Sequence, residues 1–167
     1  MTSLVSTWPD AERLLALEQQ VRSTGTGLVC IDLIGCWQLE LVWPKGSQRA
    51  SVFSGWLLRG LSARLEIQGG SERLLLSNAV NLGPIELRFR GPGCLQGKRP
   101  LLQFSFDQLQ INVAGRCVLQ RALPTPPAAR MPFFALIHRD STGWLAARGR
   151  GGGLALWRLA STAPTAG

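Results

Sequence analysis

Hydrophobic and polar residues follow two successive rhythms along this chain. In "STWPDAERLLALEQQVRS" the apolar residues Leu14, Leu17 and Val21 recur at helical spacing. Ser6 or Thr7 can cap that helix, Pro9 and Asp10 suit its first turn, and Gly25 and Gly27 end it. From there the period drops to two. In "LIGCWQLELVW" Trp37, Leu39, Leu41 and Trp43 point one way, and Cys36, Gln38, Glu40 and Val42 the other. "LSARLEIQ" sets Leu61, Ala63, Leu65 and Ile67 against Ser62, Arg64 and Glu66, and a hairpin turn at Gly69-Gly70 leads into "SERLLLSNAV". "PIELRFRG" alternates Ile85, Leu87 and Phe89 with Glu86, Arg88 and Arg90.

In "LLQFSFDQLQINV" the apolar parity is even through Phe106 and odd from Leu109, so a turn or bulge is expected at Asp107-Gln108. "RCVLQRAL", "MPFFALIH", "GWLAA" and "LALWRLA" add further strands. The proline-rich "LPTPPAARMP" forbids a central strand over 123–132. One helix followed by about eight to ten sequential strands, each apolar on one side, predicts a mainly β chain whose edges close into an antiparallel barrel. The expected division is a helical segment over 1–26, the barrel over 27–160 and a tail over 161–167. A barrel of this strand number has room inside for packed side chains or for one small ligand.

Composition supports a single globular domain. The chain has 167 residues, 46% apolar and 17% charged. Its net charge of +8 comes mainly from arginine and is dispersed rather than blocked. A solvated basic surface fits that dispersion better than a nucleic-acid stripe, and attraction to anionic headgroups is a further option. No apolar run approaches the ~20 residues that span a bilayer, and the first residues lack the basic start and apolar centre of a secretory signal. A cytoplasmic protein, peripheral to membranes at most, is the expectation. Cys30, Cys36, Cys94 and Cys117 show no metal-binding spacing and read as buried thiols. In "SGWLLRGL", Trp56 with Leu57 and Leu58 is either a membrane-dipping tip or an ordinary packed segment.

Catalytic chemistry is hard to assemble from these residues. His138 is the sole histidine, with Asp140 two residues on, and no Gly-x-Ser-x-Gly elbow is present. "RGRGGG" at 148–153 lacks the Lys-Ser/Thr ending of a phosphate loop and reads as a hairpin turn. No catalytic residue, metal ligand or cofactor is assigned. The aromatic set of six tryptophans, six phenylalanines and no tyrosine offers apolar surface with few hydroxyl handles. That surface suits either an apolar ligand or a solid core.

Several short motifs occur together in a recognisable order. "LIGCWQLELVW" resembles the Gly-x-Trp first strand of lipocalins, and more closely the start of the plastid lipid-associated protein, or fibrillin, family. "LLLSNAVNL" resembles that family's Asn-x-Val strand at Asn78 and Val80. "GKRPLLQFSFDQLQI" resembles its basic strand leading into a Phe-rich one. Leu123, Pro124 and Pro132 match its proline loop, and "RGRGGGLALWRL" its closing turn, with Arg148, Gly149 and Gly152 in the matching places. The chain departs from the pattern at Val42, Trp43 and Pro44 after the first strand, and at Trp144, Leu145 and Ala146 before the closing turn.

The resemblance implies a lipocalin-like barrel preceded by a helix, associated with photosynthetic membranes and binding a lipid, carotenoid or quinone without enzymatic activity. Gly35, Trp37 and Arg148 would close one end of the barrel, with Arg148, Arg150 or Arg158 stacked on the indole. Trp37, Leu39, Leu41, Leu87, Phe89, Phe104 and Phe106 would line the ligand site by strand parity. Two rival functions remain. One is a tetrapyrrole-handling barrel similar to bilin lyases, and the other is a basic nucleic-acid or protein interaction module with a solid core.

Overall fold

A computed structural model describes residues 8–46 and 64–161, Ser161 by its backbone alone. Helix α1 spans Ala11–Thr24. Its cap is Asp10, whose carboxylate accepts the Arg13 backbone N–H at 2.8 Å, and Gly25 ends it at φ 75°. The cap therefore falls later than Ser6 or Thr7, both outside the described residues, and Pro9 precedes the helix rather than starting it. A short helix, α2 (Cys30–Leu33), leads through Gly35 into the sheet. Gly35 is buried at φ 145°, backbone that favours glycine, at the entry to the sheet.

Among the described residues ten strands follow: β1 (Gly35–Trp43), β2 (Arg64–Gly69), β3 (Leu74–Leu82), β4 (Ile85–Gln96), β5 (Leu101–Phe104), β6 (Gln108–Val113), β7 (Arg116–Ala122), β8 (Phe133–Arg139), β9 (Trp144–Gly149) and β10 (Leu154–Ser161). A 3-10 turn over Ala128–Arg130 occupies the proline-rich connection before β8. All neighbours are antiparallel, and the order β3-β2-β1-β10-β9-β8-β5-β4 returns to β3 through a β3–β4 pairing. The result is a closed eight-stranded barrel with an N-terminal helix.

Strands β6 and β7 lie outside the ring. The first half of β4, Ile85 to Arg90, pairs with β6, and its last residues, Gly93 to Gln96, pair with β5. The far part of β3, the first half of β4, β6 and β7 thus form a four-stranded ribbon that continues the barrel wall outward. The exchange of partners happens at Gly91. A Cβ there would lie 1.7 Å from the Ser105 carbonyl oxygen, so only glycine lets residues 105–107 cross β4 this closely. Ser105 N–H donates to the Pro92 carbonyl at 3.1 Å, and Asp107 N–H to the Arg90 carbonyl at 2.9 Å. This crossing is the parity break expected at Asp107-Gln108.

Two apolar cores sit on the two sides of the barrel wall. Inside, Trp37, Leu65, Ile67, Leu76, Phe104, Leu136, Leu145, Ala147 and Trp157 pack together with Leu33 of α2. Outside, Leu14 and Ala11 of α1 cover Trp43, Ile137, Trp144, Ala146 and Leu156. Burying each such side chain contributes roughly 1.5–3 kcal/mol, and the tryptophans and leucines at both sites are almost wholly withdrawn from water.

Candidate functional site

Trp37 is wholly buried, and its indole N–H donates to the Leu33 carbonyl at 2.8 Å. An arginine does cover the ring, but it is Arg139, whose guanidinium carbon lies 5.6 Å from the ring centroid. Arg148 is not available for that contact. On β9, Leu145 and Ala147 point into the barrel, whereas Trp144 and Ala146 point out to α1, and Arg148 continues the outward set. There it grips Glu18. Arg150 donates to the Ala129 and Met131 carbonyls, and Arg158 pairs with Glu40 and Gln38 on the outer wall.

A bulge selects Arg139. On β8, Leu136 faces the interior and Ile137 the outer core, and the pairing with β9 slips between Leu136 and His138. The extra residue reverses parity, so His138 joins the outer side, 5.1 Å from the Trp144 ring, and Arg139 turns inward. A second slip, between Leu39 and Leu41 on β1, corrects another expectation. Leu39 packs against the interior, but Leu41 falls with Trp43 in the outer core under α1, so Leu41 does not line the barrel.

The remaining expected lining residues come together where the ribbon leaves the barrel. Five rings form a chain: Phe89 to Phe106 at 5.8 Å between centroids, Phe106 to Phe104 at 5.4 Å, Phe104 to Phe134 at 5.3 Å, and Phe134 to Trp157 at 5.1 Å. Its inner end, at Trp157 and Phe104, is buried. Its outer end, at Phe89, is half-buried and continues into Leu87, Val80, Leu109 and Ile111 on the same ribbon face. Beyond these, Leu82, Ile85 and Val113 are open to solvent. Periodicity alone gave no sign of Phe134, Trp157 or Asn78 as members of this apolar face. Pairing places Asn78 opposite Leu65 on one side and Phe89 on the other, and its side-chain oxygen is buried with no hydrogen-bond partner among the described residues.

The opposite face of the ribbon is polar. Asn81, Glu86, Arg88, Arg90, Gln110 and Asn112 line a groove of about 460 Å³, with Cys117 at its border. Glu86 accepts from Arg88 at 3.0 Å and from Asn112 at 2.9 Å. The Arg88 hydrogen bond holds its carboxyl below the usual carboxylate range, against the opposing effect of burial.

Other candidate chemistry is structural in form. His138 Nε2 lies 3.5 Å from Asp140, whose carboxylate also accepts the backbone N–H and hydroxyl of Thr142 at the β8–β9 turn. The Thr142 hydroxyl is the leading cause of the lowered Asp140 pKa. "RGRGGG" forms the β9–β10 hairpin turn, with Gly149 N–H donating to Gly153 at 2.9 Å. Cys30 and Cys36 are buried as expected, but Cys94 is half-buried and Cys117 is exposed. Among the described residues no group of three or more His, Cys, Asp and Glu side chains could hold a metal ion, and no helix is long and apolar enough to cross a membrane. Trp56, Leu57 and Leu58 lie outside the described residues. No family model matches the chain, and neither does any curated protein.

Proposed function

We propose that the protein is a non-enzymatic carrier for an apolar molecule, a lipid, carotenoid or quinone, which docks in the mouth between barrel and ribbon. The plastid lipid-associated family and its photosynthetic membranes are the proposed setting. The observation that supports this most is the chain of rings from Trp157 to Phe89. It provides an apolar surface that begins in the core and ends half-exposed, as a site must if a hydrophobic body is to enter from solvent or from a membrane. Phe89, Phe104, Phe106 and Leu87 would contact the ligand, while Leu39 and Trp37 form the packed base beneath.

The test is mass spectrometry and absorbance on protein isolated from its native host, followed by titration of the stripped protein with a fluorescent long-chain probe. Saturable binding that persists at high salt and falls about tenfold or more in Phe106→Ala is the expected result. A protein that carries no apolar cargo and shows no saturable probe binding would overturn the reading.

A second reading, docking on an anionic partner through the basic surface, is favoured by the polar groove, where Arg88 and Arg90 lie side by side on one face of β4. It predicts binding that weakens steeply with salt, as counterion release requires.

A further inference from the structure

We propose that Asn78 is a polar anchor in the apolar mouth and that the cargo carries a hydroxyl group to meet it, an inference that rests on the carrier reading above. Four observations converge on this side chain. Strand parity puts it on the interior face of β3, between Leu76, which is wholly buried, and Val80. Sheet pairing puts Leu65 beside it on β2 and Phe89 on β4. Its four nearest same-face neighbours are therefore all apolar. Its Oδ1 is buried, yet accepts no hydrogen bond among the described residues.

A buried amide oxygen without a donor is costly, and a leucine of similar shape would have removed the cost. An asparagine at this position makes physical sense if a donor arrives with something else. Asn78 as a whole is only half-buried although its Oδ1 is closed to water, so a cargo group reaches that oxygen by displacing one of its apolar neighbours. Phe89, its neighbour across the pair, is the outer end of the ring chain. A ligand with an apolar body along Phe89 and Phe106 would bring its terminal group to Asn78. A hydroxyl there donates a hydrogen bond to Oδ1 and gives the buried oxygen the donor it lacks. A purely hydrocarbon ligand would instead leave the oxygen unpaired.

The ligand class is thus a long apolar molecule with a terminal hydroxyl donor, such as a fatty alcohol or a hydroxylated isoprenoid. The test uses dodecanol and dodecyl methyl ether, both able to accept but only the first able to donate, each displacing the fluorescent probe from wild type, Asn78→Leu and Asn78→Ala. Wild type is expected to prefer the alcohol by about tenfold, and both variants to bind the two ligands equally. The ligand-free Asn78→Leu protein is expected to melt at the wild-type temperature or above.

Equal binding of the two ligands by wild type would overturn the inference and leave the carrier reading intact. So would a retained alcohol preference in the variants, or a lower melting temperature for Asn78→Leu alone, which would mean that Oδ1 is already satisfied. Failure of wild type to bind probe, alcohol or ether would overturn both.

Discussion

Arg148 holds Glu18 with two parallel hydrogen bonds, Nε to Oε1 and a terminal nitrogen to Oε2, each at 2.6 Å. Arg99 adds a third at 2.8 Å, and Arg22, a turn further along α1, lies at 4.0 Å. Glu18 is 2% exposed, so this ion cluster ties the helix to β9 and to the β4–β5 connection in a mostly dry place. Its worth lies in the pairing, because a charge left alone there is far more costly than the intact pair is stabilising.

Glu18→Gln is accordingly expected to lower stability by about 2–4 kcal/mol, read from urea unfolding. The pH dependence has a definite sign. The hydrogen bond from Arg148 is the largest cause of a Glu18 pKa below its ordinary 4.5. The folded state therefore binds this proton less readily than the unfolded chain. Its contribution is fully present above the unfolded value and is lost as pH falls through the folded one. Melting temperatures between pH 7 and pH 3 should fall less steeply in Glu18→Gln than in wild type.

The Trp37–Arg139 contact gives a second test. Arg139→Met keeps the aliphatic length but removes the cation, and should cost about 1–2 kcal/mol. Trp37→Phe loses the hydrogen bond to Leu33 and leaves a void, for about 2–4 kcal/mol. A double-mutant cycle in urea should return a coupling of about 1 kcal/mol, and additive effects would show that the ring and the guanidinium act independently.

Gly91→Ala should be among the most damaging single changes. The added methyl would meet the backbone of Ser105 and Phe106, neither of which can swing aside like a side-chain end. A loss of about 3 kcal/mol or more is expected, seen as failure to accumulate folded protein or as a much lower unfolding midpoint by circular dichroism. Gly151→Ala, where a Cβ meets nothing within 4 Å, is the matched control and should leave the midpoint unchanged.

The four thiols should separate by rate. Cys117 is exposed and should react with a disulfide reagent at once, and Cys94 more slowly. Cys30 and Cys36 are buried, so both should react only after denaturant is added, and burial also pushes the Cys36 thiol pKa upward. Cys117→Ser should remove the fast phase alone.

Strand alternation made the barrel legible in the sequence because one-sided burial leaves a period of two. It also placed Phe104, Phe106, Leu39 and Trp37 on the inner side. The errors arise where that period breaks. A single extra residue reverses every following side chain, and the slips beside Leu41 and Arg139 carry no local signal such as a glycine. Parity therefore sent Leu41 inward and left Arg139 out of consideration. The alternation of "PIELRFRG" reaches only Gly91. Strand β4 continues to Gln96 because Pro92 sits where the strand changes partners. The far contacts of Glu18 with Arg99 and Arg148 are set by tertiary packing, and no spacing in the chain announces them.

Strand β4 serves two assemblies along one peptide, and that fixes how force would pass between them. A pull on the outer ribbon, from a membrane or a partner, travels along a continuous backbone into the cylinder rather than through a slack joint. Cutting the chain at the β6–β7 turn should leave the slowest-exchanging amides of the cylinder untouched. Loosening the crossing at Gly91 should speed exchange on both sides of it together.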